Sequence, residues 1–242
     1  MRYGPQSGHK NFPSVVESAD NKARCAPEDE FMIGFPAAVV FANAFEWWAH
    51  KHLLHGRGRD RNSSFSSHWR HHKRVRQDGY RDSWQYERPL HNPDGRWELR
   101  SIVLAASVAS LPGPLAPFWT LGVWYSAARY WHVHRRSHLD PEWGRTRVPW
   151  HYDHHMNTNQ SANWCVTRPW FDHVMGTRIP GDSRYTETNV LGMRLPGFLE
   201  RPLNRATAWL TPGIFATLNA ARLPEDPGAN RPGGSERAPT DR

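Results

Sequence analysis

Cysteine is scarce in this chain: there are two in 242 residues, Cys25 and Cys165. Two cannot build a disulfide framework, a four-cysteine iron–sulfur set or a zinc ribbon, and such a count fits a reducing, cytosol-facing setting. The chain contains no glycine-rich phosphate loop and no Gly-x-Gly-x-x-Gly, so it offers no nucleotide or flavin site of its own. Residues 1–30 hold no apolar core of the kind a signal peptide needs. Long hydrophobic runs are few, and the mean hydropathy of −0.77 is low for a membrane protein. Acidic residues are outnumbered, 23 Asp and Glu against 31 Lys and Arg, for a net charge of +8. No nucleic-acid motif accompanies that surplus, so nucleic acid is not an expected partner. The run Arg57, Arg59, Arg61, Arg70, Lys73, Arg74 and Arg76 suits instead a cytoplasmic face beside anionic lipid, or the docking of an acidic electron donor.

What the chain has in quantity is tryptophan, thirteen in all, and histidine, fifteen. The histidines are clustered. His134 and His138 stand four apart, and four residues of α-helix turn about 400°, which puts both rings on one face. His151, His154 and His155 are related by three and four positions and share a face as well. Upstream the same arrangement occurs as His50 and His55, then His68, His71 and His72. Adding 83 to His55, His68, His71 and His72 gives 138, 151, 154 and 155, every one a histidine; His50 pairs with His134 at an offset of 84. Trp47 precedes the first set as Trp131 precedes the second. The spacing predicts two half-sites of five histidines each. Imidazoles clustered in this way have little structural purpose, but neutral imidazole is the commonest metal ligand.

Ten imidazoles suit two divalent ions with about five ligands each, with room for oxygen or water. Imidazole alone does not choose among iron, zinc, copper and nickel. Neutral ligands leave the metal charge uncompensated, so carboxylates are expected close by; Glu46, one helical turn before His50, and Asp153, inside the third histidine pair, are the candidates. His50 and His55 pose a difficulty. Five positions on a continuous α-helix turn about 500°, leaving the two rings some 140° apart, and His52 would then compete with His50. His9, His91, His132 and His173 read as surface or loop histidines, Cys165 as a packing residue. Trp47, Trp48, Trp69, Trp131, Trp150 and Trp164 suit equally an apolar pocket lining or the core.

Along the chain, residues 1–30 are polar and are expected to be disordered. Residues 31–200 carry the histidine sets and form the expected catalytic domain. Phe31 to Ala49 is an apolar stretch near the lower limit for a membrane-spanning helix, with Pro36 near its start or at a kink and Gly56 stopping it after His55. Pro89, Asn92-Pro93 and Asp94-Gly95 mark turns. Ile102–Leu111 and Leu115–Trp131 form a helical hairpin broken at Pro112-Gly113-Pro114, each arm short for a crossing. Residues 139–150 read as a loop, with a helix starting near Trp150. Residues 201–222 hold a short docking helix around Ala206–Leu218, and 223–242 a disordered tail.

The boxes Glu46-Trp47-x2-His50-x4-His55, His68-x2-His71-His72, Tyr130-x2-Val133-His134-x3-His138 and His151-x2-His154-His155 resemble those of the membrane fatty acid hydroxylase / sterol desaturase superfamily of di-iron oxygenases. Asn163-Trp-Cys-Val-Thr167-x-Pro169-x2-Asp172-x3-Gly176-Thr177 is similar to that family's closing signature. The resemblance spans roughly residues 31–177. It implies an all-α, membrane-associated fold with a dinuclear site at the cytosolic ends of the helices. It implies two ferrous ions on the ten histidines, dioxygen as co-substrate, and hydroxylation of an unactivated C–H bond in a hydrophobic substrate. A separate electron donor, ferredoxin or cytochrome b5 with its reductase, follows from the missing flavin site. Three features depart from the family: the usual first spanning helix is replaced by polar residues 1–30, no cytochrome-b5 domain is fused, and His52 and His132 are extra. Desaturation, a non-catalytic metal-binding membrane protein, and a soluble protein whose apolar runs form its core are the alternatives.

Overall fold

Helix α1 (Ala26–Ala49) and helix α5 (Pro117–Leu139) cross at two of the smallest side chains in the molecule. A Cβ placed on Gly122 would stand 2.7 Å from the Ala38 methyl and 2.8 Å from the Phe35 carbonyl oxygen, so only glycine lets the backbones approach this closely. Around the crossing Phe35 meets Tyr125 at 5.4 Å and Phe41 meets Trp119 at 5.2 Å between ring centres, separations typical of favourable aromatic pairs. Helix α4 (Pro93–Ala109) packs on the same pair, burying Ala106 against Ala38 and Val123. The Trp119 indole N–H donates to the Ala109 carbonyl at 2.8 Å and ties the α4–α5 hairpin near its turn.

In this computed structural model residues 1, 26–113, 116–181, 187–210 and 213 are described, and among them the chain is all-helical with no strand. Short helices gather at one end of the α1–α4–α5 unit: α2 (Ser67–Gln77), α3 (Ser83–Tyr86), α6 (Pro141–Arg147), α7 (Pro149–Met156) and α8 (Trp170–Val174). Helix α9 (Gly197–Leu210) follows. Two small cores brace that end, Val133–Val148–Trp150–Val166 and Trp47–Trp164–Cys165.

Several boundaries differ from the sequence expectation. Helix α1 begins at Ala26, so residues 26–30 are helical and Pro36 lies inside the helix; residues 2–25 of the polar N-terminal stretch, and the tail from 223, lie outside the described residues. Asn92-Pro93 is a helix start rather than a turn. The Asn92 side chain accepts the Gly95 N–H at 2.6 Å and Pro93 takes the first helical position, where its missing N–H costs nothing. The same device starts α6 inside the expected loop: the Asp140 carboxylate accepts the Trp143 N–H, with Pro141 next. Helix α9 begins upstream of the apolar segment Ala206–Leu218, most of whose second half lies outside the described residues.

Among the described residues no helix is long and apolar enough to cross a membrane. Large apolar side chains nevertheless face outward on all three long helices: Phe41, Phe45 and Trp48 on α1, Leu104, Val108 and Leu111 on or just after α4, Leu121 and Trp124 on α5.

Candidate metal centre

The difficulty at His50 and His55 is resolved by a change of helix type. After Ala49 the chain continues as a π-helical segment, His50–Gly56. Its i→i+5 hydrogen bonding adds about one residue to each turn, which brings residues five apart onto one face. Both rings are buried, with centres 5.2 Å apart, whereas His52 is exposed and lies against Trp47 and Trp48. Gly56 does not end the helical path, since Arg57–Arg59 adds a turn of 3-10 helix.

All ten predicted ligands are buried and come together. They do not divide by sequence half. The first group is His50, His55, His68, His72 and His154; the second is His71, His134, His138 and His155. His151 joins the second, its Nε2 lying 3.1 Å from that of His138. Each half of the chain therefore lends one histidine to the other's group. Adjacent helical residues project about 100° apart, so His71 and His72 cannot face the same ion, and nor can His154 and His155. The sequence repeat carries the first group onto the second: 50, 55, 68 and 72 map to 134, 138, 151 and 155, and His71 maps to His154, the two that are exchanged. The groups abut, with the His72 and His155 rings 4.2 Å apart.

Six of the ten imidazoles are oriented from behind. Nδ1–H of His50 donates to the Trp164 carbonyl, that of His154 to the Ala162 carbonyl at 2.7 Å, and that of His138 to the Tyr80 carbonyl at 2.9 Å. His71 and His134 donate to carboxylates, Asp82 at 2.8 Å and Glu98 at 2.7 Å; His72 donates to the Gln160 side-chain oxygen at 3.2 Å. With the proton fixed on Nδ1, each Nε2 presents a bare lone pair. Those lone pairs point at one another. Nε2 of His154 lies 3.1 Å from Nε2 of His72, and neither has a proton to share. Nε2 of His71, His134 and His155 are buried without a hydrogen-bond partner. Burial holds His50, His68, His71, His72, His138, His151 and His155 well below the usual histidine range, and His154 down to about 4. Proximate, neutral, unpaired nitrogen donors are costly unless a cation lies between them.

The closing motif builds the loop that supplies two of these carbonyls. The Asp172 carboxylate accepts the Trp164 and Cys165 N–H groups, both at 2.8 Å, and the Thr177 hydroxyl at 2.7 Å. Glu46 accepts the Val166 and Thr167 N–H groups and the Thr167 hydroxyl. Glu46 thus acts on the site through the loop that orients His50. Burial pushes its carboxyl up to about 7. Asp153 is paired with Arg178 at 2.9 Å, and Arg178 also holds Glu187 at 2.7 Å. His173, expected at the surface, is buried and meets Glu187 at 3.4 Å. His132 and His91 are exposed, as expected.

The carboxylates that hold histidines directly, Asp82 and Glu98, stand eleven and thirty-six positions from their partners. No local spacing marked them. Both serve the second group; the first is backed by carbonyl and amide oxygens alone. A cavity of about 30 Å³, lined by His68, His71 and His134 together with Leu54, Tyr86, Trp97 and Tyr130, opens onto the centre. A space of that size admits a water-sized molecule. No protein-family model, curated protein or solved structure matches this chain.

Proposed function

We propose that the ten histidines hold two iron ions and that the protein is an oxygen-dependent hydroxylase acting on an unactivated C–H bond of a hydrophobic substrate. What carries this reading is the confrontation of bare Nε2 lone pairs from two abutting five-histidine groups, a donor set that fits two divalent ions with sites left for small ligands. The histidine-box resemblance favours iron. Iron bound there supplies the redox chemistry that turns dioxygen on an unactivated C–H bond.

The chain's own part is positioning and exclusion. Backbone carbonyls, two carboxylates and the Gln160 amide oxygen fix the tautomers of six of the ten rings, His50, His71, His72, His134, His138 and His154, so these ligands need no rearrangement. Asp82 and Glu98 offset part of the metal charge on the second group. The Tyr86 hydroxyl donates to Glu98 at 2.9 Å and holds it in place. Leu54, Trp97 and Tyr130 keep the small cavity apolar where it meets His68 and His134. Electrons are expected from a separate donor, ferredoxin or cytochrome b5 with its reductase. The apolar outer faces of α1, α4 and α5 support association with a bilayer, since soluble monomers rarely leave such faces uncovered. The metal centre then faces the cytoplasm.

Iron-loaded protein given a chemical reductant, ¹⁸O₂ and a panel of fatty acyl, sterol and carotenoid compounds should place one ¹⁸O atom in a product alcohol. An alkene without label identifies desaturation. The absence of both oxygen uptake and product across the panel, from protein carrying its full metal complement, would favour a metal-binding protein without turnover, a reading the small size of the cavity also accommodates.

A further inference from the structure

A second cavity lies on the other side of Val133 and Trp150, and none of the ten histidines lines it. It is a cleft of about 370 Å³, within the usual size range of small-molecule sites. Four arginines from four parts of the fold line it: Arg129 on α5, Arg147 at the end of α6, Arg168 in the closing loop and Arg194 after it. The floor is apolar, formed by Val133, Val148 and Trp150 with Trp143 beside them.

Among the described residues the four guanidinium groups lack counter-charges of their own. Among the described residues Arg129, Arg147 and Arg194 make no hydrogen bond or ion pair. Arg168 donates only to the Gly192 carbonyl, at 2.6 Å. The one carboxylate in the lining, Glu187, is already held by Arg178 and His173. Burial together with the facing charge of Arg129 brings Arg168 down to about 10, the mark of cations brought together rather than spread over a surface. Like charges gathered in a concavity focus a positive potential, and guanidinium forks match the oxygens of phosphate and carboxylate in pairs.

We propose that this cleft binds a small organic anion: a phosphate or carboxylate head held by Arg129, Arg147, Arg168 and Arg194, with an apolar portion resting on Trp143 and Trp150. The ligand is independent of the metal centre and of the reaction carried out there.

The test is calorimetric titration of the full-length, metal-loaded protein with inorganic phosphate, octyl phosphate and octanoate at about 50 mM and about 200 mM salt. One double variant is Arg129→Gln/Arg168→Gln. A second, Arg147→Gln/Arg194→Gln, alters only exposed side chains and leaves the core intact. The expected result is saturable one-site binding of octyl phosphate or octanoate, weaker at higher salt, and reduced at least tenfold in either double variant with metal content unchanged. Inorganic phosphate matching octyl phosphate assigns the site to the head group alone; octyl phosphate binding more tightly assigns part of the affinity to the tryptophan floor. Either supports an anion site. Binding undiminished in both double variants would locate the anion elsewhere, on the metal for instance, and overturn the proposal. So would a folded wild-type protein that binds none of the three probes at either salt concentration.

Discussion

Acid should unfold the metal-free protein over a narrow pH range, and the direction follows from which groups titrate. Nine histidines are held below their ordinary range, burial being the first cause for each and neighbouring imidazoles adding to it for most. In the unfolded chain the same rings take up protons near 6.5, while in the folded protein they stay neutral. Below about pH 6.5 the unfolded state therefore binds more protons, and stability falls as the pH falls. Three carboxyls act in the opposite sense. Burial raises Glu46 to about 7, so near neutrality the folded state holds a proton there that the unfolded chain does not, and it raises Asp82 and Asp172 in the same direction. Glu187, although buried, is held down to about 2 by Arg178 and His173, and adds acid sensitivity only at lower pH. Each histidine that stays neutral on folding contributes a limiting slope of about 1.4 kcal/mol per pH unit, so several acting together are large against a typical total stability of about 5–15 kcal/mol. Urea unfolding of metal-stripped protein, followed by tryptophan fluorescence between about pH 7.5 and 5.5, should show a midpoint that collapses below pH 6.5. Saturating metal should move the collapse to lower pH, because ions and protons compete for the same nitrogens. A midpoint that stays level across that range would refute the neutral, buried histidine cluster.

Other consequences are as direct. Glu98→Gln keeps an acceptor for His134 but removes the charge, and should weaken metal binding at the second group by about 10–100-fold while leaving the first group's affinity in place, as read by metal titration. Because both carboxylates back the second group, substoichiometric metal should fill His71, His134, His138, His151 and His155 first, which spectroscopy of half-loaded protein would reveal as one coordination environment rather than two. Gly122→Ala forces a methyl against Ala38 and the Phe35 carbonyl at the α1–α5 crossing; a loss of about 1–3 kcal/mol is expected in urea unfolding, without change in metal stoichiometry. Replacing Phe41, Phe45 and Trp48 together by serine should abolish flotation with anionic lipid vesicles while the metal content stays intact.

The histidine cluster was legible because metal chemistry constrains residue type and spacing in a single stretch of chain. His68, His71 and His72 declare themselves on any helix. The pairing of His50 with His55 was visible only as a contradiction, since the spacing does not suit an α-helix; the π-helical segment removes it. The exchange of His71 and His154 between groups follows from the 100° step between neighbouring residues, and could have been read from the doubled histidines. Asp82 and Glu98 could not, because their link to His71 and His134 is made by the packing of α3 and α4 beside the site and leaves no periodic trace. The turn read at Asn92-Pro93 and the loop read across Asp140-Pro141 failed for a local reason. Asn or Asp followed by Pro serves a helix N-cap as readily as a turn, and only the tertiary surroundings choose between them.

Metal analysis of the anaerobically purified full chain tests the central claim most directly. Two transition-metal ions per chain are predicted, one for each histidine group, falling to one in His55→Ala and to one in His134→Ala. A folded preparation that takes up no transition metal under any loading condition, or one whose stoichiometry is indifferent to both substitutions, would contradict it.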